Sequence, residues 1–574
     1  LETSRSSTGE PKERETVIKR RIADLLIAAI DAAQARRALP AMSVPDLGID
    51  HPPQRALGDY ASSVAMRLAR AARMNPREIA STIVSLIPAS PEIARVETAP
   101  PGFINFFLDD AWVAQQVDTI LREGIAYGSG VLPGKRIQVE YVSANPTGPL
   151  HAGHGRGAVF GDTLANVLSF AGNDVQREYY VNDAGAQVRV FGETLYARYL
   201  QALGREASLP PDGYAGSYMQ TLAAEIVDEF GDRFLTLAPD QAQAELAEVG
   251  MEKVLAWIRA DLQDLGIHFD RWFHERELFE QGQLREALAK LRAAGTLDER
   301  EGALWFTSTA LGEDKDNVII RSNGVPTYFA TDIAYHYDKF LRRNFDEVID
   351  VWGADHHGHV SRMKAVMSAL GIDPERLVVA LSQLVTLKRG GEIVRLSKRT
   401  GDIVTLREVI DEVGADACRF FFIQRSPDSQ MDFDLELAKE QSDKNPVYYI
   451  QYAHARIASI LRLAAERKID WSAGDVALLR SDAEQTLIRK LLVFPEVIEL
   501  AALNHAPQGL AAYALALSGE FHSFYRVCRV ISEDASLSAA RLKLVASAKM
   551  VLANALRLMG MTAPERMDRL DEER

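Results

Sequence analysis

The chain has 574 residues, 47% of them apolar and 25% charged, with a net charge of −15 and a pI near 5.4. That length calls for several cores, and no apolar run reaches the roughly 20 residues of a bilayer crossing, so membrane insertion is not expected. The acidic balance argues against a surface coated throughout by nucleic acid but allows a local basic track, and Cys418 and Cys528, lacking CxxC or Cys/His spacing, suggest neither a disulfide framework nor structural zinc and fit a reducing, cytoplasmic setting.

Residues 1–16 mix Ser, Thr, Glu and Lys without an apolar stretch and read as a flexible tail or cloning remnant. From Val17, the spacing of Ile18, Ile22, Leu25, Leu26 and Ala29 predicts a helix, and a Pro-rich loop follows at Pro45 to Pro53. Another helix is predicted over Ala61 to Ala72, a third from Asn75-Pro76 as cap and first-turn proline, and a strand over Phe103 to Phe107. Residues 17–110 thus form a small α+β unit, with 111–134 as a linker punctuated by Gly128, Gly130 and Pro133-Gly134.

Arg136 to Val142 has the β-branched and aromatic content of a buried strand. A Gly/Pro-rich loop (Ser143 to Gly155), a helix with Val159, Leu164, Val167 and Leu168 inward, a stop at Gly172 and a strand over Val175 to Val181 follow. Strand, loop, helix and strand make a Rossmann-type half. A helix-rich acidic stretch, about 190–310, reads as an insertion before further strands at Asn317 to Arg321, Glu347 to Val351 and Leu377 to Leu381. The expected fold is therefore multidomain α/β: a Rossmann-type domain over 135–390 with a helical insertion, a small N-terminal α+β domain, a connecting region over 391–445 and an all-α C-terminal bundle over 446–574.

Two stretches carry candidate chemistry. Ser143-Ala144-Asn145-Pro146-Thr147-Gly148-Pro149-Leu150-His151-Ala152-Gly153-His154 lies between a predicted strand and helix, where open α/β sheets bind nucleotides. Unpaired N–H groups at the helix start face phosphate oxygens, Gly153 permits close backbone approach, and two imidazoles can donate to a triphosphate. Far downstream, Arg395-Leu396-Ser397-Lys398-Arg399-Thr400-Gly401 precedes a helix starting near Thr405. Each alone is an ordinary loop; histidines in a Gly-rich turn and a basic segment are common.

Together, HAGH and RLSKR resemble the paired HIGH and KMSKS signatures of class I aminoacyl-tRNA synthetases, with Ala152 in place of Ile and Arg395-Leu396 in place of Lys-Met. The resemblance is closest to bacterial-type arginyl-tRNA synthetases and covers nearly the whole chain after the tail. Gly58 to Ala61, Pro101 to Asn105, Val139 to Gly148, Val181 to Gly185, Gly324 to Tyr335, Gly353 to His359, Asn445 to Arg456 and Asn554 to Gly560 carry it.

The resemblance implies an arginine–tRNA ligase that forms arginyl-adenylate and pyrophosphate from arginine and ATP, then esterifies the terminal adenosine of tRNA(Arg). His151, His154 and Lys398 would orient ATP and stabilise transition-state charge, with magnesium bridging the phosphates and no dedicated metal site in the protein. Pro149, Gly153, Asp355, His356, His359, Arg395 and Ser397 would line the ATP site. Asp355-His356-His357-Gly358-His359 also admits a metal-site reading, but side chains after a strand diverge, which disfavours it.

For arginine, the resemblance assigns Asp332 to the guanidinium, Tyr328 beside it, and Glu140, Ser143 and Asn145 to the α-amino and carboxylate ends. Tyr328 and Asp332 stand at i, i+4 and can present a phenol and a carboxylate from one helical face, the planar acceptor set that a guanidinium fork satisfies and an ammonium does not. Without the resemblance, a core tyrosine and a surface carboxylate is the simpler reading. Tyr449, Tyr452 and Arg456 would contact tRNA, the alternative being helix core, and the N-terminal unit would touch the tRNA elbow. A monomer acting on tRNA, neither on DNA nor at a membrane, is expected, with arginine activation dependent on bound tRNA. The rivals are another HxGH nucleotidylyltransferase and an inactive synthetase-like RNA-binding module.

Overall fold

The computed structural model describes residues 17–394 and 404–567. At its centre, strand Arg136–Glu140 buries Ile137 and Val139 between flanking helices, as a parallel strand covered on both faces must. Five parallel strands stand in the order Leu377–Ser382, Glu347–Gly353, Arg136–Glu140, Asp174–Val181 and Arg271–His274. Helix Ala152–Ala171 crosses between the third and fourth of these, burying Val159, Leu164, Val167 and Leu168, and ends at Gly172 with φ +119°. Only glycine fits at Gly161 in this helix, because a Cβ would stand 2.3 Å from the Tyr141 ring.

The stretch read as one insertion, about 190–310, is corrected by strand Arg271–His274, which pairs with the central sheet (Glu178 with Arg271, Val181 with His274). Four residues with charged or polar ends carry too weak a strand pattern to be seen in sequence. The chain instead leaves the sheet twice. Helices Ala186–Ala202, Tyr218–Phe230 and Pro239–Asp264 form the first excursion. The second contains an antiparallel sheet of Leu297–Arg300, Ala303–Phe306 and Asn317–Ile320, so the strand near Asn317 is not part of the parallel sheet. Strand Val385–Arg389 likewise pairs with Met431–Asp434, so the unit after the Rossmann sheet starts ahead of residue 390.

At the N-terminus, helices Ile18–Ala35, Val64–Ala72 and Pro76–Val84 accompany a four-stranded antiparallel sheet that includes Phe103–Leu108. The Asn75 carboxamide caps the third helix by accepting from Arg77 N at 2.9 Å. The segment read as a linker, 111–134, is also corrected: helix Asp110–Glu123 occupies its first half, capped by Asp109. Val113, Val117 and Ile120 bury one face of it, and Lys543 Nζ to Asp118 at 2.8 Å and Ser547 Oγ to Val117 O at 3.1 Å tie it to the C-terminal bundle. That bundle comprises helices Pro446–Glu466, Asp482–Leu492, Phe494–Leu503, Gln508–Val527 and Ala535–Leu558.

One buried side chain joins four of these parts. Arg419, on helix Ala415–Ile423, is fully enclosed; it donates to Leu265 O at 2.7 Å, to Met559 O and to the Asp162 carboxylate. Gly560, with φ +69°, leaves the room its guanidinium needs.

Candidate active site

The strand ends at Glu140 and the chain turns abruptly, Val142 and Ser143 both taking positive φ (68° and 41°). A β-branched residue in that region costs on the order of 1–3 kcal/mol and persists only where surroundings enforce it. The turn lets Ser143 Oγ donate to Glu140 Oε1 at 2.9 Å while accepting from Tyr180 N at 3.1 Å.

Beyond it, His151 caps helix Ala152–Ala171 in extended conformation, and its ring stacks on His154 with centroids 3.6 Å apart. A Cβ on Gly153 would lie 3.0 Å from the His151 ring, so this glycine makes the stack possible. The His151 N–H donates to His154 Nδ1 at 3.2 Å, which leaves the neutral ring's proton on Nε2. Burial lowers the pKa of both imidazoles, His154 to about 3 with His151 contributing, so both are neutral hydrogen-bonding groups at pH 7. They open on a cleft of about 810 Å³ with Asn145, Pro149, Tyr218 and Thr405 among its walls. Tyr218 reaches in from the first excursion and donates to Thr147 O at 2.8 Å.

Arg395, Ser397 and Lys398 lie outside the described residues. The chain that follows them is anchored to the histidine loop: Ala152 N donates to Val404 O at 3.3 Å and Leu406 N to Leu150 O at 2.8 Å. Thr405 then caps helix Leu406–Val413 reciprocally with Glu408.

Tyr328 and Asp332 do share one helix, Tyr328–Tyr337, with Tyr328 exposed and Asp332 half-buried. Asp332 Oδ2 meets His359 Nε2 at 2.7 Å, and Arg362 Nε donates to His359 Nδ1 at 3.1 Å while its Nη1 reaches Asn317 Oδ1 at 2.9 Å. Both nitrogens of His359 are thus engaged, one by Asp332 and one by Arg362. Asp355 and His356 stay exposed in the turn after strand Glu347–Gly353. Among the described residues no three His, Cys, Asp or Glu side chains converge on a metal position.

A carboxylate that the sequence did not signal stands beside Asp332. Glu275 follows strand Arg271–His274 and is 4% exposed. Its carboxyl is pushed up to about 7, by burial first and further by the charges of Asp332 and Asp183. Asp183 differs: burial is overcome by His274 Nδ1 at 2.8 Å and Arg276 Nε at 2.6 Å, which hold its carboxyl low. Among the described residues no Lys or Arg forms an ion pair with either Glu275 or Asp332. Thr331 and Tyr180 also hydrogen-bond the Glu275 carboxyl, which feels the charge of Asp332.

Glu140 is nearly buried, with Oε2 2.6 Å from Lys339 Nζ. Asn145 is exposed on the cleft wall.

In the bundle, helix Pro446–Glu466 divides by its period. Ile450, Ala453, His454 and Ile457 are core, His454 meeting Pro564 O at 2.9 Å. Tyr449, Tyr452 and Arg456 are half-buried on the other side. Tyr452 stacks on Tyr448 and His522 with centroids 6.0 and 6.1 Å apart, and Arg456 lies over Tyr452 and Tyr525 at 5.1 and 4.9 Å. A groove of about 540 Å³ runs past these rings to Arg462 and Arg566.

Residues 116–434 match the family model described as "tRNA synthetases class I (R), catalytic domain", which puts the parallel sheet and its histidine-led helix among the class I synthetases. Residues 17–108 match "Arginyl tRNA synthetase N terminal domain" and 450–567 match "DALR anticodon binding domain". The arginine–tRNA ligase of Dehalococcoides mccartyi is 55% identical over 96% of this chain and 99% of its own, and that of Carboxydothermus hydrogenoformans 50% over 90% and 94%. The chain belongs to the arginyl-tRNA synthetase family. The Thermus thermophilus arginyl-tRNA synthetase superposes with a TM-score of 0.76 at 25% identity, covering 96% of this chain and all of that one. A Mycobacterium tuberculosis methionyl-tRNA synthetase shares the fold at TM-score 0.52 and 14% identity, covering 75% of this chain and 92% of its own.

Proposed function

We infer that the chain is an arginine–tRNA ligase, joining arginine to the terminal adenosine of tRNA(Arg) at the expense of ATP. The observation that carries the reading is the pair of carboxyl groups Glu275 and Asp332, which interact electrostatically, in a chain of this family that also stacks His151 on His154 at the head of helix Ala152–Ala171. A guanidinium satisfies both carboxylates with a planar fork; a lysine ammonium leaves one desolvated oxygen unmatched, and that mismatch supplies the discrimination. Glu140, Ser143 and Asn145 receive the α-amino and carboxylate ends.

ATP enters as its magnesium salt, a substrate. The arginine carboxylate attacks the α-phosphorus and pyrophosphate leaves; the terminal ribose hydroxyl then attacks the adenylate carbonyl and AMP leaves. Neither step needs a strong base. His154, with its proton on Nε2, and His151 act as neutral donors to phosphate oxygens, aided by the N-terminus of helix Ala152–Ala171, while Pro149, Gly153, Asp355 and His356 bound the nucleotide. Lys398, with Arg395 and Ser397, supplies the cationic side as pyrophosphate departs; attachment of Val404 to Ala152 supports this placement.

The Tyr449, Tyr452 and Arg456 face binds the tRNA anticodon region, offering rings and a cation to unstacked bases. The N-terminal unit takes the tRNA elbow, and activation requires bound tRNA. The enzyme works as a monomer in the cytoplasm on RNA, not DNA, a setting consistent with two free, buried cysteines. ATP–pyrophosphate exchange across all twenty amino acids, with and without bulk tRNA, tests the whole reading: exchange with arginine alone, dependent on tRNA, is expected. Exchange driven by any other amino acid overturns it.

A further inference from the structure

Beneath Glu140 lies a set of buried charges that the mechanism above does not use. Lys339 is fully enclosed at the start of a wide π turn, Asp338–Arg342, that continues helix Tyr328–Tyr337. Such turns are rare inside helices and collect at functional sites. The Lys339 ammonium has a receiver for each of its three protons: Glu140 Oε2 at 2.6 Å, Asp350 Oδ1 at 2.8 Å and the face of the Tyr335 ring at 4.1 Å. Asp350 Oδ2 is met by His336 Nε2 at 2.9 Å, and His336 Nδ1 turns back to Asp332 O at 2.8 Å. Tyr335 in turn donates to Glu178, which Arg343 neutralises.

Lys339 is shared between two carboxylates, and His336, facing acceptors at both of its nitrogens, serves the second of them. Asp350 does not face the site: it is fully buried and held by Lys339 and His336. Glu140 lies instead at the strand end beside Ser143, where the signature loop begins. The same helix that places Lys339 also carries Tyr328 and Asp332, so one rigid element reaches both ends of the arginine site.

We propose that Lys339 is a positioning residue of the amino-acid site: from behind, it keeps Glu140 charged and fixed so that the carboxylate meets the substrate α-ammonium, while its own helix sets the distance to Asp332. The inference rests on the assignment of Glu140 to the α-amino end. The electrostatics agree. Burial lifts the Glu140 carboxyl against the pull of Lys339, with Asp350 adding to the lift, so loss of the ammonium shifts Glu140 further toward its protonated form. Burial likewise acts against Asp350, but Lys339 and His336 outweigh it and hold that carboxyl at about 2.

The test uses the full chain with tRNA, Lys339→Met, and two ligands: arginine, and its analogue 5-guanidinopentanoic acid, which keeps the guanidinium and carboxylate but lacks the α-amino group. Lys339→Met is expected to raise the arginine KM about tenfold or more at pH 7, to leave the inhibition constant of the analogue and the ATP KM within about twofold, and to recover as the pH is raised and Glu140 ionises. Equal weakening of arginine and analogue at every pH overturns the proposal, as does an unchanged arginine KM. Should Lys339→Met not fold, Lys339→Met/Asp350→Asn removes one charge of each sign, preserves the local balance and is read by the same criteria. If that variant also fails to fold, the cluster serves the fold and the proposal falls. A wild-type chain that does not charge tRNA with arginine would instead remove the functional reading itself.

Discussion

The proposed arginine pocket and the proposed tRNA groove on the C-terminal bundle would recognise by opposite means. In the pocket, Asp332 is held by His359, His359 by Arg362 and Arg362 by Asn317, while Glu140 rests on Lys339 and Ser143. In the groove, Tyr448, Tyr452, His522, Arg456 and Tyr525 lean on one another as half-buried rings and a cation. A small cation must be told from its near relatives within a few ångströms, which needs charges fixed in advance in a water-poor site. A folded RNA spreads its contacts over a wide surface, so ring faces that tolerate adjustment serve it.

The contrast is broken most directly at Asp332. Asp332→Ala should raise the arginine KM roughly 100- to 1,000-fold, the cost of leaving a guanidinium half-paired, with ATP affinity retained; steady-state pyrophosphate exchange reads both. Unchanged arginine kinetics would remove fixed charge as the basis of recognition. Glu275 gives a smaller effect with a pH signature. Its carboxyl titrates near 7 without ligand, and a guanidinium favours the ionised form, so arginine binding expels a proton. The arginine KM should therefore fall about tenfold per pH unit up to about 7 and then level. Glu275→Gln should weaken arginine roughly tenfold at pH 7.5 and flatten that slope. A slope that survives the substitution would assign the titration to another group. Smallest is Tyr452→Ala, expected to raise the tRNA KM about tenfold, the worth of a lost stacking face, with the arginine KM unmoved once tRNA is saturating. A shift in arginine KM there would mean that the two regions are less separate than their geometry suggests.

Much of this was legible in the sequence, unevenly. The strand–loop–helix around HAGH stood out because buried strands, glycine stops and a helical period each leave a local pattern. The shared helix of Tyr328 and Asp332 follows from their i, i+4 spacing, while the role proposed for Asp332 rests on the resemblance around it. Glu275 was hidden for the opposite reason: it lies in a stretch taken as an insertion, after a four-residue strand whose partner is 93 positions away (Glu178 with Arg271). Lys339 carried no local signal either, since a lysine after an amphipathic helix reads as solvated until its partners Glu140 and Asp350 come together from two strands. Helix Asp110–Glu123 was overlooked although Val113, Val117 and Ile120 are spaced for it, because Gly and Pro punctuation nearby dominated the reading.

Arg419 bears on how far the molecule can be taken apart. Its guanidinium is shared among the histidine-led helix, the first excursion and the last turn of the bundle, through Asp162, Leu265 and Met559. Cutting the chain ahead of residue 446 to isolate a catalytic fragment would strip away the Met559 carbonyl and open an enclosed cation to water beside the middle of helix Ala152–Ala171. The three family-model segments are thus modules of descent whose physical unit is the assembled chain, and a minimal version of this enzyme would need a redesigned seam at that arginine.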